Sequence, residues 1–121
     1  MARVVAHVTD LLFGSKVEGM LAAAGHDVTL VGNASGVRGA LGATDATDVI
    51  VVDLFFEPDA GIALLAELKA DGVLGDARAL ASYAHTAPDV RTRALEAGFD
   101  LVVPRSRMAR EGAALVERLV A

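Results

Sequence analysis

The sequence of 121 residues contains no cysteine and no tryptophan, and only 4% of its residues are aromatic. The absence of cysteine excludes disulfide bonds and thiol catalysis. With so few aromatic residues, a core has to be built from Val, Leu, Ile and Ala. Because 54% of the residues are hydrophobic, a disordered chain is not expected. Aliphatic residues in this proportion are typical of helices packed on a buried parallel sheet.

Basic clusters and long apolar runs are missing as well. Eleven Lys and Arg residues are scattered among sixteen Asp and Glu residues, which gives a net charge of −5. Surfaces that bind nucleic acid usually show clustered positive charge, so we expect no nucleic-acid partner. No stretch reaches the roughly 18 apolar residues of a membrane span, and the amino-terminal residues show no signal-peptide cleavage pattern. We therefore expect a cytoplasmic protein without a membrane partner.

Short apolar runs alternate along the chain with longer segments of helical periodicity. The runs that predict strands cover residues 4–8, 28–31, 49–52, 79–83 and 101–103. After each run, apolar residues recur at three- and four-residue spacing, which predicts five helices. Strict alternation of strands and helices predicts one α/β domain over residues 1–121. Its architecture is a doubly wound, five-stranded parallel sheet with helices on both faces.

The last predicted helix has an unusually wide apolar surface. One row consists of Ala109, Ala113, Val116 and Val120, and it is flanked by Leu115 and Leu119. We interpret both rows as core. The alternative is that the wider surface forms a homodimer contact.

In sheets of this type, a site forms beyond the carboxyl ends of the strands, where the strand order reverses. The residues to consider are therefore those that follow the predicted strands. They are Thr9, Asp10, Asp53, residues 82–85 and residues 104–106.

Asp53 ends the third apolar run and is followed by Leu-Phe-Phe-Glu-Pro-Asp-Ala-Gly. This segment resembles the phospho-acceptor loop of response-regulator receiver domains. The spacing from Asp53 to Gly61 matches, although Pro58 stands one place late. Residues 93–100 resemble the fourth helix and turn of the same family. The resemblance covers essentially the whole chain. It implies a flavodoxin-like (βα)5 receiver fold and a role in bacterial two-component signalling.

The resemblance implies that Asp53 is the phospho-acceptor and that Mg²⁺ balances the charge of phosphoryl transfer. The family carries an acidic pair after its first strand, where this chain has Thr9 and Asp10. A Mg²⁺ ion would be held by Asp10, Asp53 and the backbone carbonyl of Phe55, with fewer carboxylates than usual. The alternative for Asp10 is an N-cap of the first helix.

The family also has a Ser or Thr after its fourth strand that contacts the phosphoryl group. Counting from Asp53 without gaps places Tyr83 there, and Ser82 takes this place only if the alignment shifts by one residue. In the alignment without gaps, Ala84 is the small residue directly after the hydroxyl position. The resemblance therefore gives Ser82, Tyr83 and Ala84 as candidate phosphate contacts.

Arg105 stands where the family has a lysine after the fifth strand. Arginine binds phosphate through a planar fork rather than a point charge, so Arg105 is a further candidate phosphate contact. The alternative is a permanent ion pair between Arg105 and Asp53, which would need no phosphate.

These departures around Asp53 lead us to interpret the chain as a stand-alone, atypical receiver. We expect it to act by protein–protein interaction with a histidine kinase or another signalling protein, with altered or absent phosphorylation. We expect no enzymatic activity and no catalytic residue. One alternative is a functional receiver of a phosphorelay, which uses Asp53 and Mg²⁺. Another is a flavodoxin-like binder of a small ligand, although no phosphate-binding glycine motif follows the first strand.

Overall fold

The computed structural model describes residues 1–44 and 46–121. The strands are β1 (Arg3–His7), β2 (Asp27–Val31), β3 (Val49–Asp53), β4 (Arg78–Tyr83) and β5 (Leu101–Pro104). The helices are α1 (Leu11–Ala23), α2 (Ala34–Gly42), α3 (Pro58–Ala70), α4 (Pro88–Ala97) and α5 (Arg105–Val120). The five predicted strands are confirmed, and their ends differ from the prediction by no more than one residue.

The strands form one parallel sheet in the order β2-β1-β3-β4-β5. The predicted doubly wound (βα)5 architecture is therefore confirmed. The chain order reverses between β1 and β3, and this is the point at which a crevice opens beyond the carboxyl ends of the strands. Asp10 follows β1 and Asp53 ends β3, so the two carboxylates flank this crevice.

Two hydrophobic cores lie on opposite faces of the sheet. Helices α1 and α5 cover one face, and α2, α3 and α4 cover the other. In β3, Val49 and Val51 belong to the first core, whereas Ile50 and Val52 belong to the second. Because β3 is covered on both faces, it is apolar along its whole length until Asp53. The alternation of side chains then directs Asp53 toward the face covered by α1 and α5.

The buried face of α5 differs in part from the predicted one. Of the predicted row, Val116 is fully buried, Ala109 and Ala113 are half-buried, and Val120 is exposed. The fully buried residues of the helix are Met108, Gly112, Leu115 and Val116. Gly112 lies in the middle of the buried row. Helix α1 comes so close there that a Cβ atom at position 112 would overlap Met20. Leu115 and Leu119 belong to the core, so the wide apolar surface requires no second copy of the chain.

Glycines end two of the helices as their positions in the sequence suggest. Gly98 is the C-cap of α4 with φ +110°, and Gly25 follows the C-cap of α1 with φ +89°. Left-handed backbone of this kind strains residues that carry a Cβ atom. Across residues 1–44 and 46–121, the helices include none whose length and apolar character would let it cross a membrane.

Candidate functional site

The carboxyl edge of the sheet brings four of the predicted site residues together. Asp10 lies after β1, Asp53 ends β3, Ser82 lies near the end of β4, and Arg105 begins α5 directly after β5. The parallel register pairs Asp53 with Ser82 across β3 and β4. Asp53 and Asp10, which precede Arg105 by 52 and 95 positions in the sequence, therefore contact its side chain.

Both carboxylate oxygens of Asp53 accept hydrogen bonds from neighbouring side chains. Oδ1 accepts from Arg105 Nε at 3.1 Å and from Ser82 Oγ at 2.8 Å, and Oδ2 accepts from Arg105 Nη2. The side chain of Asp53 is only 1% exposed. Two parallel N–H donors make the Arg105–Asp53 pair bidentate, which is the strong form of this interaction. The carboxylate is thus enclosed by its own partners.

Asp10 has two roles in the structure. Its Oδ1 accepts from the backbone N–H groups of Leu12 (3.1 Å) and Phe13 (3.5 Å), which makes Asp10 the N-cap of α1. Its Oδ2 accepts from Arg105 Nη1 at 3.1 Å. Burial raises the pKa of the Asp10 carboxyl, but these hydrogen bonds and the charge of Arg105 outweigh it and hold the pKa below its ordinary value. The capping alternative is therefore correct, and the same residue also belongs to the site.

Arg105 is the centre of the site. Its side chain is 18% exposed, and its guanidinium carbon lies 4.1 Å from the ring centroids of both Phe13 and Phe55. Burial lowers the pKa of Arg105, but the hydrogen bonds and charges of Asp53 and Asp10 outweigh it and raise the pKa. Two aromatic rings next to a delocalised cation add cation–π attraction to the ion pairs. Of the two alternatives for Arg105, the structure shows the internal ion pair.

The predicted Mg²⁺ ligands do not fit a metal ion in this arrangement. Asp10 and Asp53 both accept hydrogen bonds from Arg105, so a metal ion would have to displace the guanidinium. Within the described part of the chain, no group of three or more His, Asp or Glu side chains is placed to hold a metal ion. The ring of Phe55, the residue whose backbone carbonyl is the third predicted ligand, contacts Arg105.

Tyr83 is not brought to the carboxylate of Asp53. Side chains alternate along a strand, so Ser82 and Tyr83 point to opposite faces of β4. Tyr83 belongs to the core formed with α2, α3 and α4. Ala84 is half-buried, and its carbonyl accepts the N–H of Ala87 at 2.9 Å. Ser82, rather than Tyr83, is thus the hydroxyl residue beside Asp53.

Sequence reasoning missed the aromatic residues around Arg105. The sequence pattern gives no sign that Phe13 and Phe56 lie beside Arg105. The ring of Phe56 lies 5.4 Å from the guanidinium carbon and makes an edge contact with Phe55 at 4.9 Å. The two adjacent bulky residues after Asp53 were the available signal, because an open acceptor site does not favour bulky side chains at its entrance.

Large apolar side chains are exposed on the segments that carry the site. Leu11 and Leu12, which directly follow Asp10, are 77% and 85% exposed, and Phe56 is 61% exposed. They belong to the same two segments as Phe13 and Phe55, whose rings meet at Arg105. In the site, both carboxylates therefore contact the Arg105 guanidinium, and apolar residues are exposed beside them.

The chain is similar to known proteins in structure, but its sequence matches no known family. No family model matches the chain, and no curated protein matches it. The Francisella response regulator 1452 receiver domain superposes with a TM-score of 0.83 at 20% identity, over 99% of this chain and 97% of that one. The receiver domain of the putative response regulator NarL from Mycobacterium tuberculosis gives a TM-score of 0.81 at 20% identity, over 98% and 95%.

An atypical orphan response regulator, described as acting by a phosphorylation-independent regulatory mechanism, is also similar. Its TM-score is 0.78 at 15% identity, over 98% of this chain and 94% of that one. In each case the two chains are covered almost completely. The chain therefore has the fold of a response-regulator receiver domain, with an arginine held between two aspartates at the carboxyl edge of its sheet.

Proposed function

We propose that this chain is an atypical receiver that acts in signal transduction as a non-enzymatic, phosphorylation-independent interaction module. The observation that carries the proposal is the enclosure of Asp53. Both of its oxygens are hydrogen-bonded by Arg105, one of them also by Ser82, and its side chain is 1% exposed. A phospho-acceptor needs an oxygen that is free to attack and a cation that balances the incoming charge.

The energetic cost of opening the site is large. Removal of one partner from a buried ion pair costs about 3–5 kcal/mol, because the remaining charge is left unpaired. Every 1.4 kcal/mol corresponds to a factor of ten in an equilibrium constant. The state in which the Asp53 carboxylate is free of Arg105 would therefore be populated by less than about one molecule in a hundred. This cost is added to the normal barrier of phosphoryl transfer. We therefore expect phosphorylation of the native chain to be negligible.

Two further observations support a binding role. Leu11, Leu12 and Phe56 are exposed beside the site, and large apolar side chains grouped on a surface are often covered by another protein. The similar orphan response regulator is described as regulated without phosphorylation. The partner we propose is a histidine kinase or another signalling protein, because the receiver fold serves such contacts in the family that this chain resembles.

The test is incubation of the native protein with Mg²⁺ and acetyl phosphate, followed by measurement of the intact mass. NMR spectra with Mg²⁺ and beryllofluoride provide the second readout. We expect no phosphoryl adduct and no shift of the amide signals near Asp53. A phosphate-accepting receiver treated in parallel should show both the adduct and the shift. An adduct that disappears in Asp53→Asn would overturn the proposal.

One observation favours the alternative, a functional phospho-accepting receiver. The Ser82 hydroxyl and the Arg105 guanidinium, both capable of binding phosphate oxygens, lie directly against Asp53. For this function, Arg105 would have to leave the carboxylate and then bind the phosphoryl group. The same mass and NMR measurements distinguish the two functions.

A further inference from the structure

We infer that Arg105 replaces a divalent cation at this site. Native Asp10 and Asp53 are therefore closed to Mg²⁺, and removal of the guanidinium uncovers a pair of carboxylates that binds it. The inference concerns the charge balance of the site and does not depend on the partner-binding role proposed above.

The first step of the argument is the position of the guanidinium. Its Nε and Nη2 donate to the two oxygens of Asp53, and its Nη1 donates to Asp10 Oδ2 at 3.1 Å. Three donors on one rigid plane thus contact three oxygens of two different carboxylates. A cation that bridges two carboxylates in this way lies where an ion bound by both would have to lie.

The second step is charge. Asp10 and Asp53 together carry two negative charges, and Arg105 is the cation that contacts both. Without it, the two carboxylates would repel each other in a partly buried crevice, where the attraction of a cation is stronger than in bulk water. Carboxylate oxygens are the ligands that Mg²⁺ prefers, and Mg²⁺ characteristically binds one or two of them and keeps several waters. The pair therefore has the chemistry of a magnesium site once the guanidinium is absent.

The third step is the packing that holds the guanidinium in place. Phe13 and Phe55 each lie 4.1 Å from its carbon atom, and Arg105 is the first residue of α5. For Mg²⁺ to enter the native site, the guanidinium would have to leave both rings and both carboxylates. Because Arg105 is the first residue of α5, the displaced guanidinium would also stay close to the doubly charged ion, which repels it. We therefore expect the native site to keep its guanidinium when Mg²⁺ is added.

The experiment compares the full chain with Arg105→Gln, which keeps a polar side chain of similar reach but removes the charge. Each protein is freed of metal by a chelator and then titrated with Mg²⁺ while thermal unfolding is recorded. Mn²⁺ is used in parallel, because it broadens the NMR signals of nearby amides. Arg107→Gln on the same helix is the matched control, since the Arg107 side chain is 42% exposed and pairs only with Glu111 in the described structure.

We expect the native chain and Arg107→Gln to show no change in unfolding midpoint and no Mn²⁺ broadening around Asp10 and Asp53. Arg105→Gln should show a saturable rise of the midpoint with Mg²⁺, as a ligand that binds only the folded state produces. Its affinity should exceed that of the native chain by about tenfold or more, the value of one favourable 1.4 kcal/mol interaction. A second substitution, Asp53→Asn or Asp10→Asn, should abolish the gain.

Two results would overturn the inference. One is Mn²⁺ broadening at Asp10 and Asp53 in the native chain, and the other is a folded Arg105→Gln protein that gains no Mg²⁺ response. If Arg105→Gln is unfolded in chelator, refolding on addition of Mg²⁺ supports the inference and failure to refold contradicts it. No phosphoryl donor is present, so failure here is distinguishable from failure of the proposed function.

Discussion

At the scale of single residues, the site depends on a property that arginine has and lysine lacks. The guanidinium of Arg105 presents donors in a fixed plane, so it contacts both oxygens of Asp53 and still reaches Asp10. An ammonium group is a compact point charge on a flexible stem, and its donors cannot form this bidentate contact. The flat guanidinium also packs against Phe13 and Phe55.

The first prediction concerns the loss of this guanidinium. Arg105→Ala should lower the free energy of unfolding by about 3 kcal/mol in the absence of divalent cations, because Asp53 would be left buried without its charge partner. Arg107→Ala, which removes a half-buried residue of an i,i+4 pair near the surface, should change it by less than about 0.5 kcal/mol. Urea unfolding at neutral pH measures both. Equal effects of the two substitutions would show that the Arg105 ion pairs add no stability.

The second prediction concerns pH and Asp10. Its carboxyl has a lowered pKa in the folded state, so the stability it provides is present above the unfolded-state pKa of about 3.9. This stability is lost as the pH falls through the folded-state pKa. Asp10→Asn keeps a good N-cap but removes the charge that faces Arg105. The native chain should therefore be more stable than Asp10→Asn at pH 7, and the difference should shrink below about pH 4.

Urea unfolding of both proteins at several pH values checks this prediction. Other carboxylates titrate in the same range, but they are common to the two proteins and cancel in the comparison. A difference in stability that stays constant down to pH 3 would contradict the predicted role of the Asp10 charge.

At the scale of elements, the close packing of α3 on β3 holds the acceptor loop. Gly61 is buried in α3, and a Cβ atom there would overlap a methyl group of Leu54 and lie 3.2 Å from Val52 Cγ1. Leu54 directly follows Asp53, so the helix approaches the sheet beside the site. The sequence spacing from Asp53 to Gly61 supports the resemblance to receiver domains. In this chain it has a steric cause, because a residue with a Cβ atom at position 61 would overlap Leu54.

The third prediction compares two helical glycines. Gly61→Ala should destabilise the protein by about 1–3 kcal/mol, because the added methyl group forces Leu54 or Val52 to move in a close-packed core. Gly19→Ala in α1 should stabilise it by about 0.5–1 kcal/mol, because no atom lies within 4 Å of the added group and alanine favours a helix. Denaturant unfolding of the two variants gives the result. A Gly61→Ala protein as stable as the native one would show that α3 can shift freely on the sheet.

At the scale of the whole molecule, a buried histidine joins β1 to the turn before β2 and faces the last helix. His26 is buried, and its Nδ1 accepts the N–H of Ala2 at 3.0 Å. Its Nε2 lies 3.6 Å from Glu117 Oε1 of α5. These contacts lie near the amino ends of the strands, away from the crevice that holds Arg105.

The fourth prediction follows from this contact. His26→Ala should lower the free energy of unfolding by about 1–3 kcal/mol, because the buried N–H of Ala2 loses its acceptor. His85→Ala, at an exposed position after β4, should change it by no more than about 0.5 kcal/mol. Thermal or urea unfolding measures both. If the two histidines have equal effects, the contact between His26 and Ala2 contributes nothing.

Much of the fold could be predicted because it depends on local patterns. Continuous apolar residues in β3 are required by burial on both faces, and glycine at position 98 is required by a left-handed backbone. On α5, the predicted core residues Leu115 and Val116 are buried, whereas Ala109 and Ala113 are half-buried and Met108 and Gly112, one position before them, are buried instead. Only the approach of α1 to Gly112 decided between them.

The sequence by itself determined the order of strands and helices, and it identified Asp10, Asp53 and Arg105 as residues at one edge of the sheet. Parallel strands must end together, so this much follows from topology. Only the tertiary structure decided that Ser82 rather than Tyr83 lies beside Asp53, because the register of β4 is set by pairing with β3. It also decided that Arg105 pairs with both aspartates between Phe13 and Phe55, since side-chain contacts across 52 and 95 residues of sequence form only when the core is packed.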